Sequence, residues 1–539
     1  MADATTPSYL GVRERWLTTG LLGIGLIVFA IGASANNFSL PKIMTNLRVE
    51  LYQIHWVLTA AGISRTIIIP TLGWLSGRVG VRQLYLMSLT TFSLGMLGSA
   101  LAWDWGSLLV FRVITGAGGG LIQPLTMAIF YQIFPPSQRG MALGFSLLGW
   151  SIGPTIGSFM AGYVLEFASW RTTYAMVVPL GGIGVVMAWW LLPPLQRPER
   201  RRLDLYGLLT IGIAITTFML AFSQGSREGW SSQYILTLLA IAGVAIIVFV
   251  VLELWQSEPL VELRLFRFTP FVMASVVLML STVAFRGTGP MMQFLMQRML
   301  GFAPLLVAWT QLPGNIVYGL AVLGGGRLSD RVAPQLTIAM GLFFFAAVFW
   351  FYAGINELAT VSMVMMLISL RFLGEGSMDT ANNLTALRAL PENQVIMAAG
   401  LLGLLRSIAG TMGPAFAAVF WDQRYSYHMQ QYAARTPMDA QGLTAALGEV
   451  QHFLLWTGEI AAQIPAKTLS LVHQRLLAEA STAAWHDYFL LNTLLALLGI
   501  IPALLSDRRL WRRRLSVVPT PTAEMTGGRD KSPGKAASH

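Results

Sequence analysis

The sequence predicts an all-α integral membrane protein of about fourteen transmembrane helices, built as two six-helix bundles with two extra spans between them. Three observations carry that reading. The 539 residues are 55% hydrophobic and only 11% charged, with a mean hydropathy of +0.60, whereas a soluble domain carries about 25% charged residues. Apolar runs of about 20 residues, each long enough to cross a hydrocarbon core of roughly 30 Å as a helix, recur along nearly the whole chain. A set of short motifs in the first half returns in the second half at a nearly constant offset. Helices are expected rather than strands, because an open sheet leaves its edge groups unpaired in lipid.

The first bundle, residues 17–192, comprises apolar runs at 17–40, 56–75, 84–102, 108–131, 141–165 and 172–192. Arg13 and Arg15 followed by Ala33-Ser34-Ala35 have the form of a cleaved leader, but the run continues to Leu40, so an uncleaved first span is expected. A two-helix insertion, 205–254, holds runs at 205–222 and 235–254. The second bundle, 272–505, holds runs at 272–295, 305–323, 336–353, 358–385, 395–420 and 488–505. Between the last two runs, residues 422–486 have helical spacing and no spanning run, which predicts an extracytoplasmic helical loop.

The net charge of +11 is almost entirely arginine and is spread over short loops, not gathered in one patch, which argues against a nucleic-acid partner. Arg78, Arg82, Arg139, Arg197, Arg200, Arg201, Arg202, Arg264, Arg267, Arg327, Arg331 and Arg388 all fall in turns on one side. Lys/Arg-rich loops mark the cytoplasmic face. The N-terminus, 1–16, and the basic tail, 506–539, are therefore placed inside, and the tail lacks any apolar period and is expected to be disordered. There is no cysteine, so thiolate metal sites and cysteine nucleophiles are excluded. No span carries a nucleotide loop, a metal-ligand cluster or a nucleophile–base set, so neither an enzyme nor a cofactor is expected.

The repeat points to a carrier. Gly73-Trp74-Leu75-Ser76-Gly77-Arg78 returns as Gly326-Arg327-Leu328-Ser329-Asp330-Arg331, Arg112 as Arg371, and Gly153-Pro154 as Gly413-Pro414. Two homologous bundles facing each other are the build of alternating access, with the substrate between them near the midplane. Gly149, Gly153 and Gly157 form one smooth stripe for close helix approach, and Pro154 removes a backbone donor. Arg112, Gly116, Gly119, Gln123 and Thr126 share a helix face. Ionisable groups at such depth are functional by default, and they include Arg65, Arg112, Arg286, Arg371 and Arg406 with the acids Glu375 and Asp379.

These residues resemble the major facilitator superfamily. Gly73-x-Leu75-Ser76-Gly77-Arg78-x-Gly80-x-Arg82 is similar to its cytoplasmic loop signature, and Gly326 to Arg331 to the second copy, where Asp330 keeps the aspartate that Gly77 replaces. Gly140, Gly149, Gly153, Pro154 and Gly157 are similar to the antiporter signature, and Leu108-x-x-x-Arg112-x-x-Thr115-Gly116 to the span 4 signature, whose arginine the resemblance implicates in proton coupling. Glu258-Pro259-Leu260-Val261-Glu262-Leu263-Arg264-Leu265-Phe266, Leu300-Gly301-Phe302-Ala303-Pro304 and Leu312-Pro313-Gly314 resemble the fourteen-span drug:proton antiporter branch (EmrB/QacA-type). The resemblance implies the major facilitator fold, export by antiport from a bacterial inner membrane, and a periplasmic adaptor protein with an outer-membrane channel as partners of the 422–486 loop. Two positions depart from the branch: Gly32 stands where it has an aspartate in span 1, and Val177 where it has an asparagine.

Because Gly32 removes that acid, proton coupling is expected on span 12. Arg371, Glu375, Asp379 and Asn382 fall within about 80° of one another on a helix, so all four are expected to face one cavity, together with Arg65, Gln123, Arg286 and Arg406. The five arginines outnumber the two acids, an excess met either by arginines that face wet vestibules or carbonyl groups or by a wholly or partly anionic substrate. Proton-coupled efflux of amphipathic drugs is the first functional reading. A carrier for one specific metabolite is the second, and a non-transport scaffold or receptor the third. The topology is directly testable because the chain has no cysteine of its own. Gln430→Cys and Ser470→Cys should react with an impermeant thiol reagent on intact cells, and Gln138→Cys only after permeabilisation; the reverse pattern would invert the assignment.

Overall fold

The computed structural model describes residues 11–54, 56–192, 204–256, 259–356, 358–435 and 464–506, with the single positions 448 and 456. The arginines at 197 and 200–202, most of the 422–486 loop's middle and the basic tail lie outside the described residues. Fourteen long helical segments follow one another among the described residues. They are α1 (Val12–Leu47), α2 (Trp56–Ile68, continued through Ile69–Thr71 into Leu72–Val79), α3 (Val81–Leu101), α4 (Trp105–Ile133), α5 (Arg139–Phe167) and α6 (Val177–Leu191, preceded by Trp170–Ala175). Then come α7 (Leu205–Glu228), α8 (Gln233–Trp255), α9 (Thr269–Arg298), α10 (Pro304–Arg331), α11 (Pro334–Ala353), α12 (Val361–Arg388), α13 (Val395–Arg435) and α14 (Ile464–Leu505). Thirteen of the helices are apolar and long enough to cross a membrane, and α5, with 29 residues, is the other.

Local chemistry sets the breaks. Pro70 lacks an N–H donor, and α2 passes through a short 3-10 turn there. Asp104 starts α4: its carboxylate accepts the Ser107 N–H at 2.7 Å, which holds this loop carboxyl below its ordinary range. Two motif glycines sit where side chains are rarely found, Gly80 at φ 82° between α2 and α3 and Gly301 at φ 65° before α10. Gly80 and Gly301 are therefore turn requirements.

The packing repeats as the sequence does. α1 lies on α5 and α9 on α13; α2 lies on α4 and α10 on α12; α3 lies on α4 and α11 on α12. Across the two halves α5 meets α10, and α13 meets α2. The glycine stripe of α5 faces α1: a Cβ at Gly149 would lie 2.6 Å from the Leu26 Cβ, and one at Gly157 2.9 Å from the Ile31 Cα. Gly413, followed by Pro414, plays the same part in α13, where a Cβ would lie 2.6 Å from the Val283 carbonyl of α9. The insertion stays outside this arrangement. α7 packs on α2 and α13, whereas α8 packs chiefly on α7 and leaves most of its apolar surface exposed, as a lipid-facing helix would.

The described ends of the 422–486 loop are helical and continue the spans on either side. Residues up to Arg435 continue α13, a 41-residue helix, and residues from Ile464 begin α14, a 42-residue helix. At 1.5 Å per residue each is about 60 Å long, roughly twice a hydrocarbon core. No glycine or proline interrupts residues 421–435, so nothing stops α13 where its apolar run ends. Where α13 and α14 run on side by side, Asp487 accepts from Arg424 Nε and pairs with His428 Nε2, each at 2.6 Å.

If the α1–α5 contact is as close as the stripe makes it, Gly149→Val should overpack it at a cost of about 1–3 kcal/mol and lower the melting temperature in detergent. Gly162→Val on the same helix meets open space and should leave melting unchanged.

Candidate transport site

A cavity of about 470 Å³ lies between the halves. α1, α2, α4 and α5 contribute from the first half and α9, α10, α12 and α13 from the second. The aromatic wall is Phe29, Phe285, Tyr318 and Phe372; Tyr318 and Phe285 each meet Phe372 edge-on, with ring centroids 5.9 and 5.6 Å apart. The polar lining includes Arg65, Gln123, Arg286, Glu375, Asp379 and Arg406. Six of the residues singled out from the sequence therefore converge, although they come from five helices.

Their pairing has one strong element. Arg406 on α13 donates from Nη1 and Nη2 to the two carboxylate oxygens of Asp379 on α12, both at 2.7 Å. This is a fork-to-fork ion pair, the geometry in which arginine binds carboxylates best. Arg406 also donates to Asn383 Oδ1 at 3.3 Å. Glu375, one helical turn before Asp379, has no such partner: its Oε2 is buried and accepts no hydrogen bond. Nearby, Thr66 of α2 and Ser407 of α13 share a hydrogen bond of 2.6 Å across the halves. Neither the Asp379–Arg406 pair nor the Thr66–Ser407 bond, nor the aromatic wall, was read from the sequence. Each joins separate helices, and nothing in a single helix's period marks the partner.

Two residues expected in this cavity do not line it. Arg371 is buried with its guanidinium 4.5 Å from the Phe285 ring centroid and 4.8 Å from that of Phe372, and its Nε and Nη1 have no hydrogen-bond partner. Asn382 donates to the Ala274 carbonyl at 2.9 Å and ties α12 to α9. Asn382 lies nearly a turn beyond Asp379, the last cavity residue of α12, whereas Arg371 adjoins the cavity-lining Phe372 and is turned to the rings of Phe285 and Phe372 instead.

Arg112 belongs to an adjoining pocket of about 270 Å³ that Arg65 also lines. It is buried, donates from Nε to the Val57 carbonyl at 3.3 Å, and lies 5.7 Å from the Tyr174 ring. The packing explains Gly32: a Cβ there would lie 2.8 Å from Phe92 Cζ and closer still to the Met96 methyl. The space an acidic side chain would occupy is filled by Phe92 and Met96, and Arg112 Nη1 contacts the Met96 sulfur.

One end of the halves is clasped by the second loop motif. Asp330 Oδ1 accepts the Gly140 N–H at 2.8 Å and Oδ2 the Met141 N–H at 2.9 Å, so its charge sits on the N-terminus of α5. Arg388 donates to the same carboxylate at 3.1 Å, and Arg139 pairs with Glu392 at 2.6 Å. Gly326 and Gly140 touch backbone to backbone. The first copy has no acid to do this. Gly73 faces Met397, the Arg78 guanidinium lies 5.9 Å from the Trp74 ring, and Arg331 is exposed.

Replacing Asp379 by Asn leaves Arg406 without its counter-ion and should cost about 3–5 kcal/mol, read as a lowered melting temperature. Adding Arg406→Gln should recover part of that loss, and additive losses would show that the pair is not the source.

The comparisons with known proteins agree with this architecture. The YhcA transporter of Bacillus subtilis, described as an uncharacterized MFS-type transporter, is 25% identical over 93% of this chain and 96% of its own length. The multidrug export protein EmrB of Escherichia coli is 26% identical over 77% of this chain and 82% of its own. The fatty acid resistance protein FarB of Neisseria gonorrhoeae is 24% identical over 91% and 95%. Among solved structures, the human organic anion transporter MFSD10 superimposes with a TM-score of 0.57 at 14% identity, over 90% of this chain and all of that one, and shares the fold. The profile of the Major Facilitator Superfamily matches residues 22–414, and with the doubled bundle and the cavity between its halves this chain belongs to that superfamily as a multi-pass membrane transporter.

Proposed function

We propose that the chain is a proton-coupled antiporter that exports amphipathic small molecules, drugs among them, across a bacterial cytoplasmic membrane. The observation that carries this reading is the contrast between the two acids of α12. Asp379 is held by Arg406, whereas Glu375 lines the same cavity with an oxygen that nothing satisfies. An ionised carboxylate in that position is costly unless something compensates it. Proton uptake and release at Glu375 therefore breaks no ion pair, and the proton-coupling role is assigned to Glu375 first. Asp379 and Arg406 hold its surroundings, and Arg371, a turn away, acts on its charge through space.

The mixed lining suits amphipathic cargo: apolar walls for the body of the substrate and a few charged groups to orient it. Relatives named for multidrug export and fatty acid resistance support export as the direction. The arginine-bearing turns support an orientation with both termini inside. With that orientation the Asp330 clasp closes the cytoplasmic end, and the long extensions of α13 and α14 face outward, where a periplasmic adaptor and an outer-membrane channel would meet them.

Glu375→Gln in proteoliposomes under an imposed proton gradient should abolish uphill export while leaving substrate binding and downhill exchange in place. Undiminished uphill export by this variant would move the coupling site elsewhere.

A further inference from the structure

We propose that Asp204 and Glu253 hold one proton between them, and that this pair is a second titratable site, outside the transport cavity, that ties the α7–α8 insertion to the contact between α2 and α13. Asp204 immediately precedes α7 and Glu253 lies in the last turn of α8, so the two meet where the hairpin returns to its starting side. Both are buried, at 2% and 4% exposure, although carboxylates are almost never buried without a partner. Asp204 Oδ1 accepts the Gly207 N–H at 2.8 Å and Glu253 Oε1 the Val261 N–H at 3.2 Å. The second oxygen of each is buried and accepts no hydrogen bond.

Gly207 shows how close the two acids stand. A Cβ built there would collide with Asp204 Oδ2 and lie 3.1 Å from Glu253 Oε1, so both carboxyl groups border the space that the missing side chain leaves. Two carboxylates sharing one site cannot both be ionised, and a retained proton makes one of them a donor to the other. Neither acid takes part in an ion pair among the described residues. α8 packs on α7 and on the connector that leads to α9. Besides Asp204, the titratable groups described there are Tyr206, Arg227 and Glu228 of α7 and Glu262, Arg264 and Arg267 of the connector. Arg227 and Glu228 stand at the far end of α7, Glu262 accepts from Gln394, and Tyr206, Arg264 and Arg267 are exposed. A metal ion in place of the proton needs about six oxygen ligands, and no group of three metal-binding side chains occurs among the described residues.

The connector gives the proton something to act on. Glu253 holds Val261, and the next residue, Glu262, places its N–H nitrogen 3.2 Å from the Met397 sulfur and its carboxylate 3.3 Å from Gln394 Nε2. Met397 is the side chain against Gly73 in the approach of α2 to α13. With the proton in place, the acid pair, the connector and that approach are fixed together. Loss of the proton sets two like charges side by side, which drives Glu253 from Val261 and frees Met397 to repack. The closed arrangement binds more protons than the opened one, so it is favoured at low pH and lost as pH rises. Arg264 and Arg267 put the site on the side of the arginine-bearing turns, so it responds to cytoplasmic pH, a sidedness that rests on the orientation proposed above.

The test uses the purified full-length protein. At neutral pH the infrared difference spectrum of wild type minus Glu253→Gln should contain a protonated-carboxyl band. The wild-type melting temperature should fall by about 2–4 °C from mildly acidic to mildly alkaline pH, and Glu253→Gln and Asp204→Asn, each of which makes one member neutral, should reduce that fall without lowering the acidic value. Met397→Cys, in a chain with no cysteine of its own, should gain more maleimide reactivity at alkaline pH with Glu253 present than in combination with Glu253→Gln. Absence of the carboxyl band overturns the shared proton, as does a pH slope that neither variant changes. Stabilisation by magnesium or sodium that Glu253→Gln abolishes assigns the pair to a metal ion and overturns it too, and equal Met397→Cys reactivity in both backgrounds overturns the link to α2 and α13. Should Glu253→Gln fail to fold, the Asp204→Asn pH slope still decides. Glu253→Gln should retain uphill export, which Glu375→Gln loses, so either reading can fail while the other stands.

Discussion

The Arg406–Asp379 pair is the interaction on which the centre of this molecule depends. A carboxylate buried at that depth is tolerable only with a counter-ion and hydrogen bonds to both oxygens, and Arg406 supplies both at 2.7 Å. Because the pair is complete, Asp379 and Arg406 satisfy each other, and Glu375 is the cavity acid left with an oxygen that accepts no hydrogen bond. It also joins α12 to α13, two helices of the same half, so the second bundle keeps one rigid wall facing the first. The bond between Thr66 and Ser407 then crosses from that wall to α2. A neutral hydroxyl contact of this kind contributes about 1 kcal/mol, weak enough to break when the halves move.

The two symmetry-related contacts between the halves are held by different means. In the contact of α5 with α10, Asp330 caps α5 and pairs with Arg388 while Arg139 meets Glu392. These are several charge-assisted contacts around one backbone approach, that of Gly140 and Gly326. The symmetry-related approach of α2 to α13 has Gly73 against the flexible side chain of Met397 and no carboxylate, since Gly77 replaces it. An approximate twofold repeat thus carries an asymmetric latch. Opening the clasped contact must break ion pairs, whereas sliding α2 on α13 must break the neutral Thr66–Ser407 bond and repack Met397, methionine being the most adaptable of apolar side chains.

Most of the scaffold was legible in the sequence because the rules that generate it are local. Runs long enough to span, a glycine every fourth residue and arginines in the turns each follow from one segment at a time, and the repeat of Gly73, Arg112 and Gly153 fixed which segments correspond. The helix ends were less legible. α13 and α14 run far past their apolar stretches, since a polar helix continues until something stops it. The site was legible as a set of residues and not as a set of pairs. Arg65, Arg286, Glu375, Asp379 and Arg406 could be singled out because each is ionisable inside an apolar run. That Arg406 takes Asp379, and that Arg371 turns to Phe285 and Phe372, depends on contacts between helices that no periodicity encodes.

The departure at Gly32 changes what surrounds Arg112 without changing the fold. With no side chain at position 32, Phe92 and Met96 fill the space beside Arg112, and that arginine is left with a backbone carbonyl, a sulfur and an aromatic face as its neighbours. These are soft, uncharged partners, adequate to hold a guanidinium in place but unable to exchange a proton. The carboxyl able to do so stands in the other half, at Glu375, while Arg65 lines both Arg112's pocket and the central cavity. Arg112 and Arg371 occupy equivalent places in the repeat, and one turn beyond them stand Gly116 in the first half and Glu375 in the second. The bundle architecture permits this because each half presents the same helices to the same cavity, and a charge can be satisfied from either side without altering the packing that holds the helices together.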